Sequence, residues 1–155
     1  MDLFNKILVP LDGSKYSKRA LEAAINIAKK FQSELALIDV YSIEMPSSIK
    51  YVRRGITGKL RGYSDAFRVA REAIYRERAG ILKRGEKKAK AEGIPVETTL
   101  VEGNTVQEIL RKAGEGKFDL IVIGAKGAGK IRGMLIGHIS EKVVMKARCP
   151  VLVVR

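Results

Sequence analysis

The sequence predicts an α/β protein whose open, five-stranded parallel sheet carries helices on both faces. Three observations lead to this fold class. Five short runs rich in Val, Ile and Leu recur along the chain, and stretches with helical periodicity separate them. The runs are almost continuously apolar, which is typical of strands that are covered on both faces. Strands and helices alternate in the order βαβαβαβαβ, which favours a parallel sheet.

The five apolar runs are the predicted strands. We expect the third strand to lie at an edge of the sheet, because its polar and apolar residues alternate more than those of the other four. In chain order, the predicted strands cover residues 6–11, 34–40, 96–101, 119–124 and 150–154.

The first and third connecting segments have the apolar spacing of amphipathic helices. The third helix is predicted to begin at Asn104 or Thr105, since either residue can cap a helix N-terminus. The inward-facing residues are predicted to be Ala20, Leu21, Ala24, Ile25, Ala28 and Phe31 in the first helix, and Val106, Ile109, Leu110 and Ala113 in the third.

The second connecting segment is long and basic. Its helix is predicted to begin at a cap formed by Ser64 or Asp65 and to end at Gly93. The apolar residues of that helix are Phe67, Ala70, Ile74, Ile81 and Leu82. A short fourth helix is predicted after Gly137, and its inward-facing residues are expected to be Ile139, Val143 and Val144.

The length and composition indicate one globular domain. The 155 residues are enough to bury a core without disulfides, and 46% hydrophobic with 30% charged residues is an ordinary globular mixture. We therefore predict a single domain over residues 1–155, with a variable lid or insert at about 43–63.

Several classes of protein are excluded by what the sequence lacks. The single cysteine, Cys149, forms no internal disulfide framework, and one histidine, His138, leaves no Cys/His set for a structural zinc. No apolar run approaches the roughly 20 residues of a membrane span. The first residues do not have the basic start of a signal peptide. We therefore expect a cytoplasmic protein without a membrane partner.

The positive charge is concentrated in one part of the chain. Thirty Lys and Arg residues against 17 Asp and Glu residues give a formal net charge of +13. Residues 50–90 contain fourteen of the basic residues and four of the acidic ones. A polyanion such as a nucleic acid would therefore contact this segment, although a solvated basic helix face is the favoured interpretation.

Two strand ends carry the residues that point to a ligand. In an open α/β sheet, ligands bind beyond the carboxyl ends of the strands, where the strand order reverses. The first strand runs into Asp12-Gly13-Ser14, and the fourth into a glycine-rich stretch over 124–130. Glycines let the backbone approach a phosphate, and Lys126, Lys130 and Arg132 add positive charge. The helix after Gly137 offers free amides at its N-terminus. We interpret this pattern as a phosphate cradle.

The glycine-rich stretch is not a P-loop, although Gly124 to Lys130 fits its G-x4-G-K core. The next residue is Ile131, so the hydroxyl that would hold Mg²⁺ is missing. Only 25 residues follow Lys130, which leaves no downstream acidic strand end.

Three parts of the sequence resemble the universal stress protein family. The first is the spacing Gly124-x2-Gly127-x9-Gly137 with Ile139 and Ser140 after it, the second is the opening over 7–14, and the third is the ending over 149–154. The resemblance implies a Rossmann-like, adenine nucleotide alpha hydrolase-like fold with strand order 3-2-1-4-5. It also implies ATP, with or without Mg²⁺, as the ligand, and a homodimer formed through the last strand.

The resemblance also implies roles for individual residues. Asp12 would lie beside the adenosine moiety, the backbone of Val40 would read the adenine edge, and the Ser140 hydroxyl would hold phosphate. His138 departs from the family pattern, which has Ser or Thr after the third glycine. The complete set of candidate binding residues is Pro10, Asp12, Val40, Gly124, Lys126, Gly127, Gly137, His138, Ile139 and Ser140.

Other interpretations of these residues are simpler. Asp12 suits a turn or helix cap, Ser140 suits an N-cap, and Asp39 and Asp119 are interpreted as strand-edge charges rather than as an acid pair. No residue is predicted to be catalytic, because His138 has no evident nucleophile or partner.

We hypothesise a homodimeric sensor of the stress response that binds ATP and is at most a weak ATPase. The alternative is a basic scaffold or nucleic-acid-binding protein whose cradle is vestigial. Dimerisation is expected because residues 151–154 would otherwise leave an exposed, strongly β-prone edge.

Overall fold

The computed structural model describes residues 3–43, 60–129 and 135–155, and over 60–64 it describes the backbone only. The elements alternate between strand and helix as predicted. They are β1 (Lys6–Pro10), α1 (Lys15–Phe31), β2 (Glu34–Tyr41), α2 (Leu60–Ala91), β3 (Val96–Glu102), α3 (Thr105–Glu115), β4 (Leu120–Gly124), α4 (His138–Lys146) and β5 (Val151–Val154).

All five strands are parallel and their order is β3-β2-β1-β4-β5, which confirms the predicted fold class. The predicted edge position of β3 is also confirmed. The chain moves outward from β1 through β2 to β3 and then returns to place β4 on the other side of β1. The strand order therefore reverses between β1 and β4, and a crevice opens at their carboxyl ends.

Each face of the sheet has its own hydrophobic core. Ile7, Val9 and Leu37 point to one face, where they pack with residues of α1 and α2. Leu8 and Ile121 point to the other face, where they pack with residues of α3 and α4. The alternation follows from the two-residue period of a strand and confirms that helices cover both faces.

Helix α1 begins at an N-cap, Ser14, whose side chain accepts a hydrogen bond from the amide of Ser17 at 3.1 Å. Its predicted inward face is buried except for Phe31, which is 43% exposed. Phe31 is the last residue of the helix, and its ring packs edge-on against Phe4 at 5.6 Å instead of entering the core.

Helix α2 begins at Leu60, so the predicted start at Ser64 or Asp65 was wrong. Residues 60–63 contain no proline, and a helix can extend beyond a favourable capping residue when nothing stops it. These four residues of the predicted insert at 43–63 are thus helical, whereas 44–59 lie outside the described residues. The predicted end is confirmed, since Gly93 follows the helix with a left-handed φ of 73°.

Only the second half of α2 packs deeply on the core. Ala70, one of the apolar residues in its first half, is exposed, whereas Leu82 and Ala89 are buried. Gly85 allows this close approach, because a Cβ there would lie 2.6 Å from Leu11 Cδ2.

Helices α3 and α4 lie on the opposite face. Asn104 caps α3, as predicted, by accepting a hydrogen bond from the amide of Gln107 at 3.1 Å. In α4 Val143 is fully buried, but Ile139 and Val144 are 41% and 47% exposed, which corrects their predicted inward positions. Ile139 lines the cavity instead of the core, and Val144 is not among the residues that pack in the core with Val143.

Within the described ranges, no helix has both the length and the apolar character required to cross a bilayer.

Candidate functional site

A cavity of about 440 Å³ opens at the carboxyl ends of β1, β2 and β4. Its volume lies within the range of small-molecule sites in proteins. All ten candidate residues line this one cavity: Pro10, Asp12, Val40, Gly124, Lys126, Gly127, Gly137, His138, Ile139 and Ser140. Residues that are far apart in the chain therefore meet at the strand ends where the sequence predicts a ligand.

Asp12 connects the turn after β1 to the glycine-rich loop after β4. Its Oδ1 accepts a hydrogen bond from the amide of Ser14 at 3.0 Å, and its Oδ2 accepts one from the amide of Ala128 at 3.1 Å. Burial acts to raise the pKa of Asp12, but hydrogen bonds from Ser14, Ser17 and Ala128 outweigh it and leave the pKa below its ordinary value. The cavity therefore contains a firmly ionised carboxylate.

Glycines are required in this loop because other backbone and side-chain atoms come very close. A Cβ on Gly127 would lie 2.9 Å from Asp12 Oδ2. A Cβ on Gly124 would lie 2.7 Å from the carbonyl carbon of Tyr16 and 2.8 Å from the nitrogen of Ser17. The glycine at 124 thus permits the end of β4 to pack against the start of α1, whereas Gly127 faces the cavity.

The N-terminus of α4 forms another wall of the cavity. The amide of Gly137 donates to the carbonyl of Ala125 at 2.7 Å, which places the start of the helix beside the end of β4. The amides of His138, Ile139 and Ser140 are in the first turn and have no acceptor within the helix. Such amides, together with the helix dipole, favour binding of an anion.

The Ser140 hydroxyl hydrogen-bonds this helix to the residue that follows β4. It lies 2.8 Å from the carbonyl oxygen of Ala125 and 3.0 Å from that of Gly137, and the residue is buried. The N-cap of α4 is Gly137, so the interpretation of Ser140 as an N-cap was wrong. Ser140 is the third residue of the helix.

The imidazole of His138 leaves the cavity open. The side chain is 64% exposed, and its Nδ1 lies 3.9 Å from Glu141 Oε2. Lys126 lines the cavity and is half-buried. Lys130 and Arg132, the other two predicted cations, lie outside the described residues.

The cavity wall contains an ion pair that was not predicted from the sequence. Asp39 is buried in β2, and Arg78 Nη1 from α2 lies 3.3 Å from its Oδ1. Arg78 Nη1 also donates to the carbonyl oxygen of Asp12 at 3.4 Å. The pKa of Asp39 is raised to about 6, mainly because the residue is buried. The positive charge of Arg78 lowers this pKa, and the negative charge of Asp12 raises it further. Asp39 is therefore not a charge at the edge of a strand. The signal in the sequence that could have identified it is an acidic residue inside an otherwise apolar strand.

The other acidic and sulfur-bearing candidates have no part in this cavity. Asp119 precedes β4 and accepts a hydrogen bond from the amide of Lys6 at 2.9 Å, at the opposite end of the sheet. Burial raises the pKa of the Cys149 thiol, which disfavours the reactive thiolate. In the described part of the chain, no group of three or more His, Cys, Asp and Glu residues is placed to hold a metal ion.

Comparisons with known proteins agree with this fold. The model of the universal stress protein family matches residues 3–155. The universal stress protein YxiE of Bacillus subtilis is 36% identical over 155 residues, which are 99% of this chain and 100% of YxiE.

Two solved structures share the fold over nearly their whole length. Hypothetical protein MJ0577 superimposes with a TM-score of 0.78 at 24% identity, covering 98% of this chain and 96% of its own. A universal stress protein in complex with cAMP superimposes with a TM-score of 0.67 at 27% identity, covering 99% of this chain and 98% of its own. The chain belongs to the universal stress protein family.

Proposed function

We propose that this universal stress protein binds an adenine nucleotide in the cavity between β1 and β4. ATP, with or without Mg²⁺, is the proposed ligand, and the protein acts as a homodimeric, cytoplasmic sensor in the stress response. The observation that carries the proposal is the hydrogen bond from the amide of Ala128 to Asp12. It brings the acidic turn and the glycine-rich loop into one cavity of suitable size.

The chemistry of the cavity suits both halves of a nucleotide. Ile38, Val40 and Ile109 give it an apolar lining that a base can contact. Lys126 and the first turn of α4 supply a cation and free amides for phosphate. The complex of a universal stress protein with cAMP, at 27% identity to this chain, supports an adenine nucleotide as the class of ligand.

Each candidate residue then has a role that its chemistry allows. The ionised Asp12 can accept hydrogen bonds from sugar hydroxyls, and the backbone of Val40 can contact the base edge. Gly127 leaves room for phosphate beside the loop, and the amides of His138 to Ser140 donate to it. Because the Ser140 hydroxyl lies against two carbonyl oxygens, we assign phosphate contact at that residue to its amide.

We expect any hydrolysis of ATP to be slow. The exposed His138 has Glu141 at 3.9 Å as its charged neighbour, and that arrangement does not position a general base over the phosphates. The protein therefore resembles a binding module more than a turnover enzyme.

The first test is mass spectrometry of ligand released from freshly purified, denatured protein, followed by calorimetric titration of the ligand-free protein with ATP. Wild type is expected to bind one nucleotide per chain. Gly127→Val is expected to abolish binding, because a Cβ at this position already lies 2.9 Å from Asp12 Oδ2. Gly114→Val is the matched control, since a Cβ there meets no atom within 4 Å.

Two outcomes would overturn the proposal. One is the absence of binding to wild type at millimolar ATP. The other is unchanged binding to Gly127→Val, which would place the ligand elsewhere.

The charge of α2 supports a second candidate function, binding of nucleic acid. Arg71, Lys88 and Lys90 pair with acidic residues. By contrast, Arg76, Arg84 and Lys87 are exposed and take part in none of the ion pairs within the described ranges. A salt-dependent gel shift that is lost when these three residues are changed to Glu would favour this function, whereas the absence of any shift at low salt would exclude it.

A further inference from the structure

The wall of the cavity contains two opposite charges that the proposed ligand contacts do not use. The side chain of Asp39 is 1% exposed, and that of Arg78 is 28% exposed. Both residues line the cavity, Asp39 from β2 and Arg78 from α2. The pair therefore presents mainly its cation to a ligand, with the carboxylate behind it.

The contacts of Arg78 are long and use one nitrogen. Its Nη1 lies 3.3 Å and 3.5 Å from the two carboxylate oxygens of Asp39 and 3.4 Å from the carbonyl oxygen of Asp12. A guanidinium has five N–H donors, so most of its donor capacity is not used by these contacts. The pair is loose compared with a bidentate ion pair, whose contacts are typically below about 3 Å.

Among the described residues, five charged or titratable side chains line the cavity, and two of them have shifted pKa values. They are Asp12 after β1, Asp39 in β2, Arg78 in α2, Lys126 after β4 and His138 in α4. The hydrogen bonds to Asp12 keep its pKa low, so this carboxylate stays ionised. The burial of Asp39 raises its pKa to about 6, so this is the carboxylate whose charge changes close to neutral pH.

We propose that Asp39 and Arg78 form a charge couple that sets the affinity of the cavity for an anionic ligand. When Asp39 is ionised, it cancels the charge of Arg78. When Asp39 takes up a proton, Arg78 adds one uncompensated positive charge to the wall. The inference rests on the proposed function, since it concerns the ligand of the same cavity.

The direction of the effect follows from linkage. An anion in the cavity favours the protonated form of Asp39, so a proton on Asp39 must favour the anion by the same factor. Affinity for an anionic nucleotide therefore rises as the pH falls through about 6. Affinity for the uncharged nucleoside adenosine is much less affected, because it brings no charge to the couple.

The test measures the Kd of cAMP by calorimetry at about pH 7.5 and about pH 5.5. Cyclic AMP is the probe because its phosphodiester keeps one negative charge over this range, unlike the terminal phosphate of ATP. All variants carry His138→Gln, so that protonation of His138, which also lines the cavity, does not contribute. Adenosine is titrated in parallel as the uncharged control.

We expect the Kd of cAMP to fall about fivefold or more at the lower pH when Asp39 is present. In Asp39→Asn the couple is absent at both pH values, so cAMP should bind tightly at both. Arg78→Gln should bind weakly at both. Circular dichroism and thermal midpoints confirm that each variant is folded.

Equal pH profiles for the proteins with and without the Asp39→Asn substitution would overturn the inference, and so would a pH effect of the same size on adenosine. Either result would leave the proposed function intact, because binding would still be observed. If no variant bound either probe at any pH, the inference would fail, and the titration of wild type with ATP would show separately whether the proposed function fails as well.

Discussion

The cavity contains two carboxylates, Asp12 and Asp39, whose pKa values are shifted in opposite directions by their surroundings. Asp12 accepts hydrogen bonds from two backbone amides, which stabilise its charge. Asp39 is buried with one loose cation as its partner, and burial dominates. The low pKa of Asp12 contributes stability that is lost as the pH falls through that pKa. The raised pKa of Asp39 contributes stability that is lost as the pH rises, because the folded state binds its proton more tightly than the unfolded state does.

The first prediction concerns the pH dependence of stability at Asp39. Its pKa rises from 3.8 to about 6 on folding, so the folded protein binds more protons between these values and loses stability as the pH rises across them. The total effect is about 3 kcal/mol. We expect Asp39→Asn to gain stability relative to wild type by up to this amount between about pH 4 and about pH 7, measured by urea unfolding. A difference that stays constant with pH would contradict the assigned pKa.

The second prediction concerns the acceptor role of Asp12. In Asp12→Asn, the amide nitrogen must face one of the two N–H donors that the carboxylate accepts, so one donor loses its partner. We expect a loss of about 1–3 kcal/mol in the free energy of unfolding. The control is Asp119→Asn, because Asn can keep the single hydrogen bond from the amide of Lys6. Equal losses in the two variants would argue against a special role for Asp12.

At the scale of elements, α2 is the helix that joins the cavity to the core. Its Arg78 reaches the carbonyl of Asp12 and the carboxylate of Asp39. Ile81 packs against the turn after β1, since a Cβ on Gly13 would lie 2.9 Å from Ile81 Cδ1. One turn further, Gly85 lets the helix approach Leu11. The position of α2 therefore fixes the position of the Asp12 turn.

The third prediction compares two helical glycines. In Gly85→Ala the new methyl group would lie 2.6 Å from Leu11 Cδ2 and 3.0 Å from Leu37 Cδ1, so α2 must move outward. We expect a loss of about 1–3 kcal/mol in the free energy of unfolding. In Gly114→Ala the methyl group meets no atom within 4 Å, and helix propensity favours Ala, so a gain of up to about 1 kcal/mol is expected. The measurement is thermal unfolding. If both variants gained stability, or both lost it, the result would contradict this packing.

The sequence was sufficient to predict the elements whose signal is local. The apolar runs identified all five strands, and Asn104 and Gly93 correctly marked a helix start and a helix end. The face of α4 was predicted less well, because Ile139 borders a cavity and the spacing of apolar residues does not separate a core from a cavity. The start of α2 was missed because the helix continues past the expected cap.

The ten candidate site residues all line one cavity because each lies at a strand end or at the start of α4. Asp39 and Arg78 could not be paired from the sequence, since the pair depends on how α2 lies across β2 and β3. The sequence also could not show why residue 124 must be glycine, because the atoms that exclude a side chain there belong to the backbone of Tyr16.

At the scale of the whole molecule, the two edges of the sheet differ. The β3 edge carries charged residues, Glu97 and Glu102, which disfavour pairing with another strand. The β5 edge consists of four apolar residues, Val151 to Val154, and Leu152 is 39% exposed. In α4, which packs against β5, Val144 and Met145 are exposed as well. We therefore propose that the β5 edge forms the homodimer.

The fourth prediction tests this edge with proline. Because the carbonyl of Val154 accepts a hydrogen bond from Ala125 in the adjoining loop, the polar groups of Val154 point toward β4 and those of Val153 point outward. Val153→Pro removes an outward N–H and leaves the contacts with β4 in place. By light scattering we expect a folded monomer for this variant and a dimer for wild type. A monomeric wild type, or a Val153→Pro protein that remains dimeric, would contradict dimerisation through β5.

The central claim is that ATP binds in the cavity formed by the Asp12 turn, the glycine-rich loop and the start of α4. The most direct measurement is a titration of ¹⁵N-labelled protein with ATP, followed by amide chemical shifts. We predict saturable shifts that cluster at residues 12–14, 124–129 and 137–140. No shifts at millimolar ATP, or shifts confined to the exposed basic residues of α2, would contradict the claim.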